Sequence, residues 1–385
     1  MKEHISVVIK PTLACDLDCR HCYHTPAERV PGTVSSDKLD RLFRMVAEEY
    51  ESAWFIWHGG EPLTLPLRFY KDALALQERH FGKGSHRVGN TIQTNGTAID
   101  RRFADFCRDK KVNLGISFEG PFNDALRQET DRVDRNLSYL SRKEHVFSVN
   151  PTVSAATVSK QREMYRHFRD RGIDVCFSPV LPMGCAAEDR SLVPDADEYI
   201  AESIRMFDEW LFDEEAEIPL IPHYLYLLNA LGERVESDCA HSSCLGKWLC
   251  MHPDGSLYPC AKRCPEEFLM GNLDDIGRIG DAFASEGFRR ILAGTVARRE
   301  KCRSECDLYE YCTGECSINA CYECGLESNG GDSCRIFREV FGHILGVCEG
   351  ILRDRPDLSV YNKYVRDAVV GRLVNPLAEV TVPRG

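Results

Sequence analysis

The chain has 385 residues, 43% of them apolar, which is enough to bury one large core and one smaller one. Its net charge of −12, with no Lys/Arg-rich run, argues against a nucleic-acid backbone as partner, and no stretch of about 18 apolar residues is present to span a membrane. The opening MKEHISVVIKPT has too short an apolar run for a secretory signal. Nineteen cysteines in a chain of this size therefore point to metal ligation in the cytoplasm rather than to a disulfide scaffold.

Short β-branched runs at 5–10, 53–58, 88–94, 112–118, 146–153 and 173–181 alternate with amphipathic stretches such as 36–50 and 67–80. Ser35 and Ser36 offer an N-cap to the first of these helices. Six strand–helix repeats imply an α/β fold with a parallel sheet and right-handed crossovers, either doubly wound or barrel-like. Both architectures place ligands at the C-terminal ends of the strands.

The strand ends carry the chemistry. After the first run comes KPTLACDLDCRHCYH, with Cys15-x3-Cys19-x2-Cys22. Soft thiolates at such spacing suit an iron–sulfur cluster or zinc. Three thiolates on a four-iron cluster leave one iron open to a ligand. A zinc site completed by His21 or His24 is the alternative. The second run ends in Trp57-His58-Gly59-Gly60-Glu61-Pro62, where paired glycines let the backbone approach a ligand and Pro62 stiffens the exit. The third ends in Gln93-Thr94-Asn95-Gly96, offering amides and a hydroxyl to a ribose or carboxylate. The fourth ends in Ser117-Phe118-Glu119-Gly120-Pro121, and Arg127 follows. Its planar fork suits a ligand carboxylate or a surface salt bridge equally.

Residues 188–197 turn acidic and loop-like, a helix is expected over 196–212, and 217–236 reads as a linker. From Cys239 to Cys334 there are twelve cysteines, and this shift in composition marks a second domain. Within it MHPDGSLYPC reads as a hairpin turning on Pro253-Asp254-Gly255. An apolar-periodic helix is expected over 336–351, and the last 34 residues read as a covering tail. The expected division is thus 1–216, a linker at 217–236, 237–345 and 346–385.

The Cys15-x3-Cys19-x2-Cys22 triplet with the Gly59-Gly60-Glu61-Pro62 run some forty residues later resembles the radical S-adenosylmethionine (radical SAM) superfamily. One departure is His21, where the family usually has an aromatic residue before the third cysteine. The resemblance implies a partial (β/α)6 TIM-type barrel. It implies a 4Fe-4S cluster on Cys15, Cys19 and Cys22, with SAM chelating the fourth iron. It also implies SAM contacts from Gly59, Gly60, Glu61, Pro62, Gln93, Asn95, Ser117, Glu119 and Arg127. Reductive cleavage of SAM would then give a hydrogen-abstracting 5′-deoxyadenosyl radical, with the electron supplied by a flavodoxin or ferredoxin.

The later array, Cys244-x10-Gly255-x4-Cys260 with Cys306-x5-Cys312-x3-Cys316-x17-Cys334, resembles the SPASM domain of radical SAM enzymes that modify peptides and proteins. Cys302 and Cys306 are three residues apart where that domain has two. The resemblance assigns Cys239, Cys244, Cys260 and Cys316 to one auxiliary 4Fe-4S cluster and Cys302, Cys306, Cys312 and Cys334 to another, making three clusters. Cys250, Cys264, Cys321 and Cys324 are left over, with Cys321 and Cys324 able to replace members of either cluster and Cys250 able to replace Cys244; Cys107, Cys176, Cys185 and Cys348 read as packed thiols.

The chain resembles anaerobic sulfatase-maturating enzymes in QTNGTAID and DGSLYPC. Those enzymes carry an aspartate directly after the hairpin cysteine as proposed base, whereas Cys260 is followed by Ala261-Lys262-Arg263. The expected activity is therefore oxidative maturation of a ribosomal peptide, by a crosslink, thioether or desaturation, with formylglycine formation as the alternative. The first strand begins near residue 5, so leader recognition falls to a separate protein or to barrel loops.

Overall fold

The computed structural model describes residues 1–235, 241 and 244–374. Strands β1 (Lys2–Thr12), β2 (Tyr50–Gly59), β3 (Val88–Thr94), β4 (Val112–Ile116), β5 (Phe147–Val149), β6 (Thr152–Val153), β7 (Val175–Cys176), β8 (Ser178–Pro179) and β9 (Leu220–Ile221) make the first part of the chain. Helices α1 (Ser36–Glu49), α2 (Leu67–Phe81), α3 (Arg101–Lys110), α4 (Thr130–Arg142) and α5 (Gln161–Arg169) lie between them, and α6 (Cys185–Glu188), α7 (Ala196–Leu211) and α8 (His223–Ala230) follow. Beyond these come the hairpin β10 (Trp248–Met251) and β11 (Leu257–Tyr258) and helices α9 (Ile279–Phe283), α10 (Glu286–Glu305), α11 (Tyr309–Cys312), α12 (Ser317–Glu323), α13 (Asp332–Asp354) and α14 (Lys363–Val374).

One sheet runs β11-β10-β1-β2-β3-β4-β5-β7-β9, parallel throughout except for the β10–β11 hairpin. Its outer strands do not pair with each other, so this is a partial barrel, as expected. α1 shows why the helices form where they do. The Ser35 side chain accepts from the Lys38 N–H, and Leu39, Leu42, Phe43 and Val46 repeat at helical spacing to bury one face. On β1 the odd-numbered Ile5, Val7 and Ile9 join Phe43, Phe55 and Trp57 in the core under the helices. Even-numbered Val8 stands in register with Ile56 and Cys250 on the opposite, interior face.

Four expectations need correction. The strands expected at 146–153 and 173–181 are each broken in two, and β6 pairs with β8 in a separate two-stranded sheet. Pro151, which has no N–H to give a ladder, sits at the first break. The stretch expected as a linker contains β9, which extends the sheet beside β7, and α8, which packs on α13. The division expected at 345/346 falls inside α13. Nor is the cysteine-rich segment separate from the barrel, because β10 pairs in parallel with β1 from Ser6↔Trp248 to Ile9↔Met251.

Phe55 is fully buried, with its ring 4.9 Å from Phe43 and 5.9 Å from Phe81, both edge-on. Phe55→Ala should lower the unfolding free energy by about 3–5 kcal/mol in chemical denaturation. Val146→Ala, at a side chain 72% exposed, should stay within about 0.5 kcal/mol of the parent.

Candidate active site

The loop leaving β1 lies directly on the end of β2, and this contact explains the paired glycines. Gly60 donates its N–H to Thr12 O (3.0 Å) and Glu61 its N–H to Ala14 O (2.8 Å). A Cβ on Gly60 would stand 2.2 Å from Ala14 O, and one on Gly59, at φ +127°, 2.3 Å from Thr12 O. The missing side chains make room for the cysteine loop itself, and not only for a ligand as the sequence suggested.

Glu61 then ties three segments together. Its buried carboxylate accepts from Leu63 N (2.8 Å), Thr94 Oγ1 (2.8 Å) and Asn95 N (2.7 Å). Asn95 and Thr97 in turn donate to the Asp16 carboxylate at 2.8 and 2.6 Å, fixing the loop between Cys15 and Cys19. Asp16 had carried no signal beyond its place between ligand cysteines.

Cys15, Cys19 and Cys22 line one cavity of about 320 Å³ together with Gly59, Gly60, Glu61, Gln93, Asn95, Ser117 and Arg127. Sequence reasoning had proposed each of these for the site; it had not proposed Tyr23, His58, Thr152 or Lys262, which also line the cavity. His58 Nδ1 accepts from Gly59 N (2.7 Å) and lies 3.2 Å from the Tyr23 hydroxyl. Gln93 donates to Ser117 Oγ (2.9 Å).

Two expected ligand contacts are not on the cavity wall. Glu119 is fully buried and engages the Arg127 Nε at 3.0–3.1 Å and the Thr152 N–H at 3.0 Å. Pro62 is buried too, its carbonyl accepting from the Tyr70 hydroxyl at 2.7 Å. The Asn95 amide, expected to meet a ribose, is committed to Asp16 and Thr97. Arg127 is no surface residue: its guanidinium also reaches Cys19 Sγ (3.8 Å), His21 Nε2 (3.2 Å) and Thr152 Oγ1 (3.3 Å).

Zinc does not suit these residues. His21 Nε2 already accepts from Arg127, and His24 Nε2 pairs with Lys10 Nζ at 3.3 Å. Among the described residues no three Cys, His, Asp or Glu side chains converge closely enough to hold a single metal ion. Three thiols spread around a cavity fit a cluster instead. Burial raises the Cys15 thiol to about 12 and raises Cys19 as well, so metal binding must supply the charge that makes these ligands thiolates.

A second cavity, of about 360 Å³, shares Gln93, Ser178, Pro179, Leu181 and Lys262 with the first and extends to Tyr199, His223, Tyr226 and α13. A third, of about 230 Å³, is lined by Cys302, Cys306, Cys312 and Cys334, the four cysteines that the SPASM resemblance groups together. Of the other set, Cys260 Sγ lies 3.4 Å from Lys262 N and Cys316 Sγ 3.9 Å from Lys262 Nζ, so Lys262 touches both. Cys244 begins the turn into β10, and Cys239 lies outside the described residues.

Among the unassigned thiols, Cys250 is buried on β10, Cys264 Sγ donates to Cys260 O (3.6 Å) and Cys324 Sγ to Ser328 O (3.6 Å). Cys107 and Cys348 are packed, while Cys176 lines the second cavity. Cys185 gives its N–H to Cys22 O (2.9 Å), and its sulfur lies 3.8 Å from Arg29, so it braces the cysteine loop from outside the SAM-side cavity.

Residues 9–184 match the Radical SAM superfamily. The first half of this chain is a radical SAM domain. SAM and an iron–sulfur cluster are the cofactors of that chemistry. A cysteine-type anaerobic sulfatase-maturating enzyme of Clostridium perfringens (strain 13) is 24% identical over 333 residues, 81% of this chain and 88% of the relative. A serine-type one of Klebsiella aerogenes is 26% identical over 385 residues, 95% of this chain and 90% of the relative. The structure of native anSMEcpe with bound AdoMet and Cp18Cys peptide superposes with a TM-score of 0.77 at 21% identity, covering 92% of this chain and 100% of that one. At that identity the superposition shows a shared fold.

Burial pushes Glu61 up from 4.5 to about 7 despite its three donors. A carboxyl that holds its proton more tightly when folded stabilises the fold below pH 4.5 and loses that contribution as pH rises to about 7, a window worth about 3 kcal/mol. Denaturation of the native chain should show this decline, and Glu61→Gln should lack it. Equal pH profiles for the two proteins would count against the assignment. Glu61→Ala, which strands three buried donors, should cost about 1–3 kcal/mol for each.

Proposed function

We propose that this enzyme oxidises a residue of a peptide or protein substrate, using SAM and three 4Fe-4S clusters. The observation that carries this reading is the second cavity, which opens off the SAM-side cavity through Gln93 and Lys262 and gives a substrate residue a place to reach. SAM bound beside a reduced cluster supplies hydrogen abstraction from an unactivated carbon. Cys15, Cys19 and Cys22 hold that cluster, while Gln93, Ser117 and Arg127 face the ligand. Arg127, pinned by Glu119, presents a fixed positive charge to a carboxylate without having to reorganise.

The auxiliary clusters belong on Cys302, Cys306, Cys312 and Cys334, and on Cys260 and Cys316 with Cys244 and Cys239, in the manner of a SPASM domain. A flavodoxin or ferredoxin in the cytoplasm would deliver the electron, and a separate protein or the barrel loops would bind a peptide leader. Replacing Cys15, Cys19 and Cys22 together with Ala should abolish reductive formation of 5′-deoxyadenosine and leave about eight irons per chain. Cys316→Ala and Cys334→Ala should each lose about four irons, and Cys321→Ala none. Retained SAM cleavage in the triple variant, or iron lost with Cys321 and not with Cys316, would sink the ligand map.

The bond formed is a crosslink, thioether or desaturation in a ribosomal peptide. Ala261 follows the hairpin cysteine, and Lys262 is the charged group at the junction of the two cavities. Glu61, the one carboxylate on either wall among the described residues, is held by three donors. Neither wall therefore offers, among the described residues, a free carboxylate to deprotonate a target hydroxyl or thiol. The second reading, formylglycine formation, is favoured by the sulfatase-maturating relatives that span most of the chain. Co-expressed candidate peptides should lose two hydrogens without gaining an aldehyde, read by mass spectrometry with and without a hydrazide tag. A sulfatase peptide that becomes hydrazide-reactive at an appreciable rate would overturn the first reading in favour of the second.

A further inference from the structure

Lys10 is fully buried on the interior face of β1. Its register follows Val8, and on the flanking strands His58 and His252 follow Ile56 and Cys250 toward the same interior. The ammonium lies 3.3 Å from His24 Nε2 and 5.4 Å from the centre of the Tyr23 ring. Two histidines facing it are neutral at physiological pH, burial and Lys10 itself lowering His252 to about 3 and His58 to about 4. Among the described residues no carboxylate forms an ion pair with it. A buried ammonium without an anion is costly, so a positive charge held here implies a negative one to come.

The nearby sulfur atoms indicate where that anion sits. Lys10 and Cys264 line one cavity of about 250 Å³, and Cys250 stands in register with Val8, two residues before Lys10. The Cys264 sulfur donates to the carbonyl of Cys260. On the other side, Lys262 gives its backbone N–H toward Cys260 Sγ (3.4 Å) and its ammonium toward Cys316 Sγ (3.9 Å), anchored on Asn319 Oδ1 at 2.6 Å. Lys262 therefore touches Cys260 and Cys316 directly, while Lys10 stands behind Cys260, beside Cys264.

We propose that Lys10 and Lys262 are positioning charges that raise the reduction potential of an iron–sulfur cluster held by Cys260 and Cys316. This inference rests on the reading that those cysteines ligate a cluster. A thiolate-ligated cluster is an anion, and it becomes more negative on reduction. Fixed positive charge and N–H···S contacts therefore favour its reduced form, most strongly where water is excluded.

The test uses the full chain, reconstituted anaerobically, with iron counted and midpoints read by potentiometric titration with EPR detection. The signal that changes when SAM is added belongs to the Cys15, Cys19 and Cys22 site and serves as an internal reference. In Lys262→Met and Lys10→Met a SAM-insensitive signal should shift to more negative potential while the reference stays in place. Lys262→Arg, which keeps the charge, should remain near the native value. A fully loaded Lys262→Met with an unmoved midpoint overturns the proposal, as does an equal shift of the reference. If Lys262→Met loses about four irons, recovery of that iron in Lys262→Arg supports the proposal and its loss there too overturns it. A native chain holding only about four irons removes the cluster reading itself, a failure distinct from an unmoved midpoint.

Discussion

The carboxylate of Glu61 is the point on which the active site depends. It is buried at the end of β2, yet it answers donors from the turn that follows and from the end of β3. Those same β3-end residues grip Asp16 in the cysteine loop. Cluster loop, glycine turn and third strand thus share one hydrogen-bond network built around one acid. Desolvating that acid is expensive, and three donors with two close-packed glycines make the position tolerable.

Arg127 plays a comparable part on the opposite side. Held by Glu119 and reaching both Cys19 and His21, it couples the fourth strand's exit to the cysteine loop. A residue that first suggests a ligand contact or a surface pair turns out to sit in a buried network, 12% exposed, on the cavity wall. The cavity's polarity is set less by how many charges line it than by how fully each is already engaged.

Much of this was legible in the sequence, and the reasons are physical. β1 to β4 carry long β-branched runs ending in glycine and polar residues, so their positions and their functional ends were readable. The thiol spacings were readable because cluster ligands must come from short, defined loops; the four cysteines around the third cavity are the clearest case. What escaped was non-local. β9 is two residues long and exists only because β7 offers it an edge. Asn95 and Glu119 looked like ligand groups because their protein partners, Asp16 and Arg127, are remote in sequence or ambiguous in role. Lys10 carried no signal at the end of an apolar strand, because the hairpin that packs beside it comes some 240 residues later.

The pairing of β1 with both β2 and β10 bears on the order in which the molecule is assembled. One neighbour of the first strand is translated within the next fifty residues, whereas the other is made only when residue 251 has left the ribosome. Until then β1 presents an unpaired edge and an uncovered lysine, the kind of surface that invites wrong partners during synthesis. The closing strand and the later cysteines arrive from the same stretch of chain. Completion of the barrel's edge and delivery of the last thiols are therefore one late event, and a truncated chain would lack both at once.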